Sequence, residues 1–472
     1  MSKQAVPYNP SKVDLVVVGG GNAALCAAIT AKEEGVKSVL ILESSPEEFR
    51  GGNSRHTRNI RYTHSKPNAW LTGPYSEEEC WKDLLGVTKG KTVENMAKMV
   101  IHEANDVGDW MEAHGVRFQP AMRGTLHLSR TNGFFCGGGK ALINAYYATA
   151  KKLGIKVEYG ATVDELDIEN DSFKAAYFEQ DGKYFRVEGK AVVLASGGYQ
   201  ANRQWLKEAW GPIADGFLVR GTPYDQGLML KVMMNHGAKT LGDPTQGHCV
   251  AIDGRSPRAD GGICTRLDCV PFGIAVNING DRFYNEGEDI WPKRYAIWGR
   301  LVAAQPEQKA NIIIDSKSIN LFMPSVFPPL VSDTIEGLAA QLNLDGEKLR
   351  KTVDEFNAAC EPTVNFDSGM PDGNHTKEGY EPAKTNWARP IDTPPYYGYM
   401  LRPGITFSYL SLALNEECRV LKEDGTTFNN IFAAGELTSG NVLGQGYMAG
   451  FGMTIGTVFG RKAGKEAACL AK

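Results

Sequence analysis

The sequence predicts an α/β protein whose parallel-sheet domain is formed by the two ends of the chain, with an α+β unit inserted between them. Three observations predict it. Residues 13–43 read as strand, glycine turn, helix and strand. The same βα style returns after residue 404, where 431–434 runs into AAGELTSGN and an apolar helical stretch. Between 246 and 403 the alternation fades and Pro, Trp and loop residues rise, as in WPKRYAIW, FMPSVFPPLV and ARPIDTPPYYGYMLRP.

The opening unit carries the most information. Residues 13–18 are β-branched and almost uncharged, which suits a parallel strand buried on both faces. Gly19, Gly20 and Gly21 make a tight turn; from Ala23, the residues Leu25, Ala28 and Ile29 recur at helical spacing, and Gly35 ends the helix. Residues 38–42 form a second β run that closes on Glu43, 24 positions past Gly19. A turn without Cβ atoms lets backbone N–H groups approach a pyrophosphate at a helix N-terminus, and the acid is placed to accept hydrogen bonds from a ribose diol. This is a dinucleotide-binding, Rossmann-like βαβ unit.

Arg50-Gly51-Gly52-Asn53-Ser54 follows, then Arg55, Arg58 and Arg61, a basic series in which at least one guanidinium is a candidate for an anionic substrate. Residues 75–118 are expected to be mainly helical, with Gly115 stopping a helix. Gly137–Gly139 opens another helix, Gly154 closes it, and 155–159 is a strand; Arg130, just ahead of that turn, is a candidate site charge. Residues 173–188 alternate as a hairpin around Asp181-Gly182, and 191–198 is a strand ending in a glycine pair. Asp225 sits where a helix begins, a position that favours an acid. Helices are expected near 333–360, and a last helix over 449–468 whose N-terminus faces the cofactor.

Composition excludes several classes. With 472 residues, 42% hydrophobic and 22% charged, the chain is that of an ordinary globular protein of two or three domains. A net charge of −4 provides no basic field for nucleic acid. The polar N-terminus lacks a signal-peptide core, and the uncharged stretch 441–460 holds six glycines, so it is expected to be a buried helix with its approach loop and not a membrane span. A cytoplasmic chain is expected, with no direct membrane insertion. Nine scattered cysteines without CxxC, and an HE pair that fails HExxH, predict no metal site.

Taken together, VVVGGGNAAL…E, RGGNS, LASGG, NGDRFYNEG and FAAGELTSGN resemble the flavoprotein family of fumarate reductase and succinate dehydrogenase over residues 13–468. GGNSRHTRNIR and GQGYMAGFGMTIG resemble most the FAD-dependent tricarballylate dehydrogenases within it. The resemblance implies a discontinuous FAD domain (1–245 and 404–472) and a capping domain (246–403), with substrate at their junction. It implies FAD contacts at Gly19, Gly21, Asn22, Ala23, Glu43, Gly52, Asn53, Ser54, Val163, Ala195, Gly197, Gly198, Asp225 and Glu436, and at Met453, Thr454 and Ile455 under the ring. Asn53 stands where relatives carry the histidine that attaches FAD, so FAD is expected to be non-covalent. The family's Asn-Arg-Leu-Gly-Gly is replaced by Gly446-Tyr447-Met448-Ala449-Gly450, and its His-Thr-x-Gly-Gly by Phe407-Ser408-Tyr409-Leu410-Ser411. The family's proton-transferring arginine would fall near Ile290, with Lys293 and Arg294 the nearest cations.

The implied reaction takes tricarballylate to cis-aconitate: a proton leaves a carbon next to a carboxylate while hydride passes from its neighbour to flavin N5. Bidentate guanidiniums suit carboxylates, and Arg130, Arg58 and Arg220 are the substrate-binding candidates; Tyr447, Arg294 and His248 are the proton-handling ones. Arg282 and Glu286 are expected to build the capping domain. No second dinucleotide motif for a nicotinamide is visible, so electrons are expected to leave to another protein; the resemblance implies an iron–sulfur membrane partner, with the chain at most peripheral to the inner membrane through it. The alternatives are a reductase of fumarate or urocanate, a 3-ketosteroid dehydrogenase, and a non-catalytic electron-transfer subunit.

Overall fold

The computed structural model describes residues 4–121, 128–361 and 366–472. Strand β1 (Val6–Val18), helix α1 (Asn22–Glu33) and strand β2 (Val39–Glu43) form the predicted βαβ unit. Five parallel strands run side by side in the order Thr427–Ala433, Lys183–Leu194, β1, β2, Lys156–Tyr159. The chain therefore leaves β1 toward β2 on one side and returns as Lys183–Leu194 on the other. That reversal opens a crevice at the carboxyl ends of the two strands, the position where open α/β sheets bind ligands. Residues 15–18 are a run of buried side chains, Leu15, Val16, Val17 and Val18, covered on both faces.

β1 starts earlier than the apolar run at 13 suggests. Val6 and Pro7 pair with Phe185 and Arg186, and the register shifts before Lys12 meets Glu188. Residues 6–12 are mostly exposed and contain Pro7 and Pro10, so hydropathy conceals the strand. Tyr8 anchors it, its ring against Phe178 and Phe185 and its hydroxyl donating to Glu158 at 2.5 Å.

The last helix, Phe451–Ala471, packs along α1. Gly460 and Gly464 face Ala23, Cys26 and Ala27 so closely that a Cβ at either glycine would strike the α1 backbone. Small residues on both helices thus set the spacing that holds the two chain ends together. Among the described residues no helix is long and apolar enough to cross a membrane.

The inserted part is built on an antiparallel sheet in the order Gly247–Asp253, Tyr396–Ser408, Ala310–Asp315, Ile274–Asn277. The predicted helices appear as Ile335–Leu342 and Gly346–Ala359, capped by Thr334 and Asp345. They cover that sheet with a core of their own, including Ile274, Ile313, Leu338, Leu349 and Phe356. Arg282 and Glu286 are buried there as an ion pair at 2.5 Å, and Glu286 also accepts the Ala275 N–H at 2.8 Å, a structural role as expected. Tyr396–Ser408 runs unbroken through position 403, and its Gly404 and Ile405 pair with Leu218 and Val219. We propose that the FAD-binding and capping parts meet along this shared strand.

Gly464→Val is expected to push α1 and the last helix apart. Chemical denaturation should show a loss on the order of 1–3 kcal/mol, the usual cost of overpacking.

Candidate active site

The cleft begins at the crevice between β1 and Lys183–Leu194. Gly19 has φ +108°, and a Cβ there would strike the Ala195 carbonyl. Gly197, at φ +75°, lies against the Asp225 carboxylate. α1 begins at Gly21, which has no side chain to cap it, and Gly21, Asn22 and Ala23 line the cleft at the positive end of a helix dipole. The Asn22 N–H is held by Ser54 Oγ at 3.1 Å. Glu43 is buried at the end of β2, with the Ser45 N–H on its Oε1 at 2.8 Å; burial pushes its pKa up. Farther along, Gln200 donates to Asp225 at 2.5 Å and reaches Glu436 at 3.4 Å. Burial and mutual repulsion hold Asp225 well above the ordinary carboxylate range, while burial pushes Glu436 up to about 8. Buried acids lining the cleft at strand ends, a Cβ-free cradle and the start of a helix fit a dinucleotide with its ribose and ribityl hydroxyls and its pyrophosphate.

The far end of the cleft has different chemistry. Arg58, Arg220 and Arg266 line it together with His248, Tyr295 and Tyr447. Arg220 donates from Nε to Thr406 Oγ1 at 2.8 Å. Arg266 is paired side-on with Asp268, Nε to Oδ1 at 2.6 Å and Nη2 to Oδ2 at 2.9 Å, and stacks 4.4 Å over the Tyr295 ring. Arg58 Nη2 lies 3.6 Å from Asp268. Burial and neighbouring cations push Arg58 and Arg220 down to about 10, so both remain protonated near neutrality. Three largely buried cations thus face one carboxylate, an excess of positive charge that calls for an anionic ligand.

His248 stacks on Tyr447 with ring centres 4.0 Å apart and 8° between planes, and meets Tyr295 edge-on at 5.1 Å. It is buried, and neither ring nitrogen has a hydrogen-bond partner among the described residues. Burial, with Arg220 and Arg266 nearby, holds its pKa well below 6.5, so the imidazole is neutral. Tyr447 Oη accepts the Gly452 N–H at 2.9 Å, and burial raises its pKa, so the phenol keeps its proton. Its own O–H is left to donate toward the cleft.

A β-bulge places these groups. Between strands Gly247–Asp253 and Tyr396–Ser408, His248 opposes Phe407 and Cys249 opposes Ile405, leaving Thr406 as the extra residue. Thr406 holds Arg220 with its hydroxyl and the Asn53 side chain with its carbonyl, at 2.6 Å. Asn53 Oδ1 accepts the Thr222 N–H at 2.8 Å.

Most residues expected at the cleft line it: Gly19, Gly21, Asn22, Ala23, Glu43, Gly52, Asn53, Ser54, Val163, Ala195, Gly197, Asp225, Glu436, Met453, Arg58, Arg220, His248 and Tyr447. Five do not. Gly198 lies behind the lining, against Glu436 and Ser408. Thr454 turns its hydroxyl to the Arg61 carbonyl and Ile455 is buried in the helix packing, while Gly452 and Gly456 line the cleft beside Met453. Arg130 is corrected to a surface pair: its guanidinium takes both oxygens of Glu79 and the Pro74 carbonyl. Arg294 is corrected too. The short helix Trp291–Arg294 turns Trp291 and Pro292 inward, so Arg294 points out to Glu288 and Tyr284, and the next residue, Tyr295, reaches the cleft. Arg266, Asp268 and Tyr295 were not anticipated. Their one signal is the Arg-x-Asp spacing in CTRLDC, in a segment without periodicity.

Fold and cleft together define a flavoprotein. A family model described as an FAD binding domain matches residues 14–452. The chain belongs to this FAD-binding family of flavin-dependent oxidoreductases, and its fold is that of the fumarate reductase flavoproteins. It is similar to an NADH:fumarate oxidoreductase of Klebsiella pneumoniae, with 26% identity over 98% of this chain and 48% of the relative. It is also 26% identical to a fumarate reductase (cytochrome) of Shewanella frigidimarina, over 98% of this chain and 78% of the relative. The chain therefore spans about half the length of the first relative and about three quarters of the second. The open conformation of a flavocytochrome c3 fumarate reductase superposes with a TM-score of 0.77 at 22% identity, covering 98% of this chain and 79% of that one.

Stripped of FAD, the protein is expected to lose stability as pH rises from 4.5 toward about 8. Over that window the fold retains the Glu436 proton that the unfolded chain has released, so the folded state binds more protons and stability falls with pH. Tm measured across this range should show that slope for the stripped protein, and a flatter one after FAD is restored.

Proposed function

We propose that this protein dehydrogenates a tricarboxylic acid, tricarballylate to cis-aconitate, with FAD held non-covalently. The observation that carries the reading is the excess of buried guanidinium at one end of an FAD cleft: among the described residues, Arg58, Arg220 and Arg266 against Asp268. A steroid would leave the positive charge in excess of Asp268 buried without a counter-ion, at a cost of several kcal/mol. Asn53, already engaged by Thr406 and Thr222, supports the absence of a covalent attachment.

When bound, FAD supplies the hydride acceptor. The chain's own residues do the rest. Arg58, Arg220 and Arg266 bind and orient the carboxylates. Tyr447 donates its phenolic hydrogen bond to one of them. His248, neutral and with both nitrogens open, takes the proton from the carbon next to a carboxylate. Bound carboxylates offset Arg220 and Arg266, the charges that depress this imidazole. Its affinity for a proton therefore rises only when substrate is in place. Reduction of fumarate or urocanate would use the same groups in reverse, and assays in both directions with an artificial electron carrier separate the two. We further propose an iron–sulfur membrane protein as the electron acceptor; rapid turnover on NAD(P) alone would contradict it.

Anaerobic addition of tricarballylate is expected to bleach the flavin absorbance. A spectrum unchanged by tricarballylate would reject the reaction and leave the electron-transfer reading standing. His248→Asn is expected to lower kcat by about 10²–10⁴, and Arg220→Ala to lower kcat/KM by about 10–100-fold, the loss of a charged hydrogen bond. Arg130→Ala should leave both unchanged. In the wild type the acid limb of kcat/KM should lie below pH 6.5, because Arg220, Arg266 and burial between Tyr295 and Tyr447 keep His248 unprotonated down to that range.

A further inference from the structure

Asp268 sits behind the cationic end of the cleft, buried and outside the lining. Both of its oxygens are committed. Oδ1 accepts the Trp291 indole N–H at 2.8 Å and lies 2.6 Å from Arg266 Nε in an ion pair. Oδ2 takes Arg266 Nη2 at 2.9 Å and lies 3.6 Å from Arg58 Nη2. Arg266 and Arg58 hold this carboxyl ionised despite burial. The pairing is one-sided: Asp268 lies along the Nε/Nη2 edge of Arg266, while Tyr295 stacks against the guanidinium plane. Arg58 keeps two buried nitrogens, Nε and Nη2, without a hydrogen bond among the described residues. Among the described residues Arg220 hydrogen-bonds to a neutral hydroxyl, that of Thr406. The charge available to a ligand is therefore that of three guanidiniums less one resident carboxylate.

We propose that Asp268 determines how many carboxylates the cleft accepts. By filling one edge of Arg266 and drawing Arg58 toward it, Asp268 stands in for one substrate carboxylate and lowers the anionic charge the site will take. This deepens the polycarboxylate reading above and rests on it. Asp268 touches no reacting atom; it is a positioning residue that acts through Arg266 and Arg58. Its removal has a signature that a structural role lacks, a change in the preference between ligands differing by one carboxylate.

The test titrates oxidised holoprotein with maleate and with cis-aconitate, which adds one carboxymethyl arm, and follows the perturbation of the flavin spectrum. Neither unsaturated acid reduces oxidised FAD, so binding is read without turnover. Asp268→Asn is expected to shift the affinity ratio at least tenfold toward cis-aconitate. Asp268→Glu should keep the ratio within threefold of wild type. Arg266→Gln should shift it at least tenfold toward maleate, because Asp268 then cancels Arg58; this variant carries the test if Asp268→Asn does not retain FAD. A ratio within threefold of wild type in the charge-altering variants, or a shift of both in the same direction, would overturn the proposal. If tricarballylate fails to bleach the wild-type flavin while the ratios move as expected, the reaction is wrong and the charge assignment stands. Bleaching with unmoved ratios has the opposite meaning.

Discussion

The close approach of backbone to backbone at the end of β1 is the constraint from which the rest follows. Gly19 presses against the Ala195 carbonyl, so no side chain fits between the two strand ends. That leaves the start of α1 facing an open crevice with Glu43 on one side and Asp225 and Glu436 on the other. α1 is itself fixed by the glycine face of the last helix, which brings residues 450–456 to the same crevice. One pair of tight backbone contacts thus joins the two ends of the chain and makes the dinucleotide arm and the floor of the reaction site a single surface.

Charge then divides that surface. At the dinucleotide end, burial holds Asp225 and Glu436 above the usual carboxylate range, and for Asp225 the neighbouring Glu436 adds to it. At the other end, buried guanidiniums exceed the carboxylates that face them. Few ligand sets satisfy both ends: a polyhydroxylated dinucleotide in the first and a compact polyanion in the second. The imidazole between Tyr295 and Tyr447 is neutral because it is buried, and Arg220 and Arg266 beside it disfavour its proton further.

The parts legible in the sequence were those written in local pattern. The βαβ unit, the hairpin around Asp181-Gly182, the capping helices and the last helix each show periodicity and a glycine or cap at a fixed offset. The N-terminal extension of β1 was hidden by polar residues and prolines whose one buried anchor is Tyr8. The site was legible where glycine or an acid sits at a strand end, and poorly legible where a cation's direction decides. Arg130 and Arg58 look alike as residues following turns, yet Glu79 claims the first and the cleft holds the second. Arg294 and Tyr295 are adjacent, and a helix of four residues sets which one turns inward.

Thr406 shows why such directions escape a linear reading. It is the unpaired residue of a bulge, so it belongs to neither face of its strand by alternation. At that one irregular position its hydroxyl orients Arg220 and its carbonyl holds Asn53, a residue of the FAD-binding part. The opposing residue of the bulge is His248, the candidate proton acceptor, carried by a strand of the capping sheet. The Arg220 guanidinium, the Asn53 amide and the His248 imidazole are therefore registered by a single extra residue in one strand. A capping domain hinged on a free linker would leave these distances to chance; one strand with a fixed bulge sets them when the sheet forms.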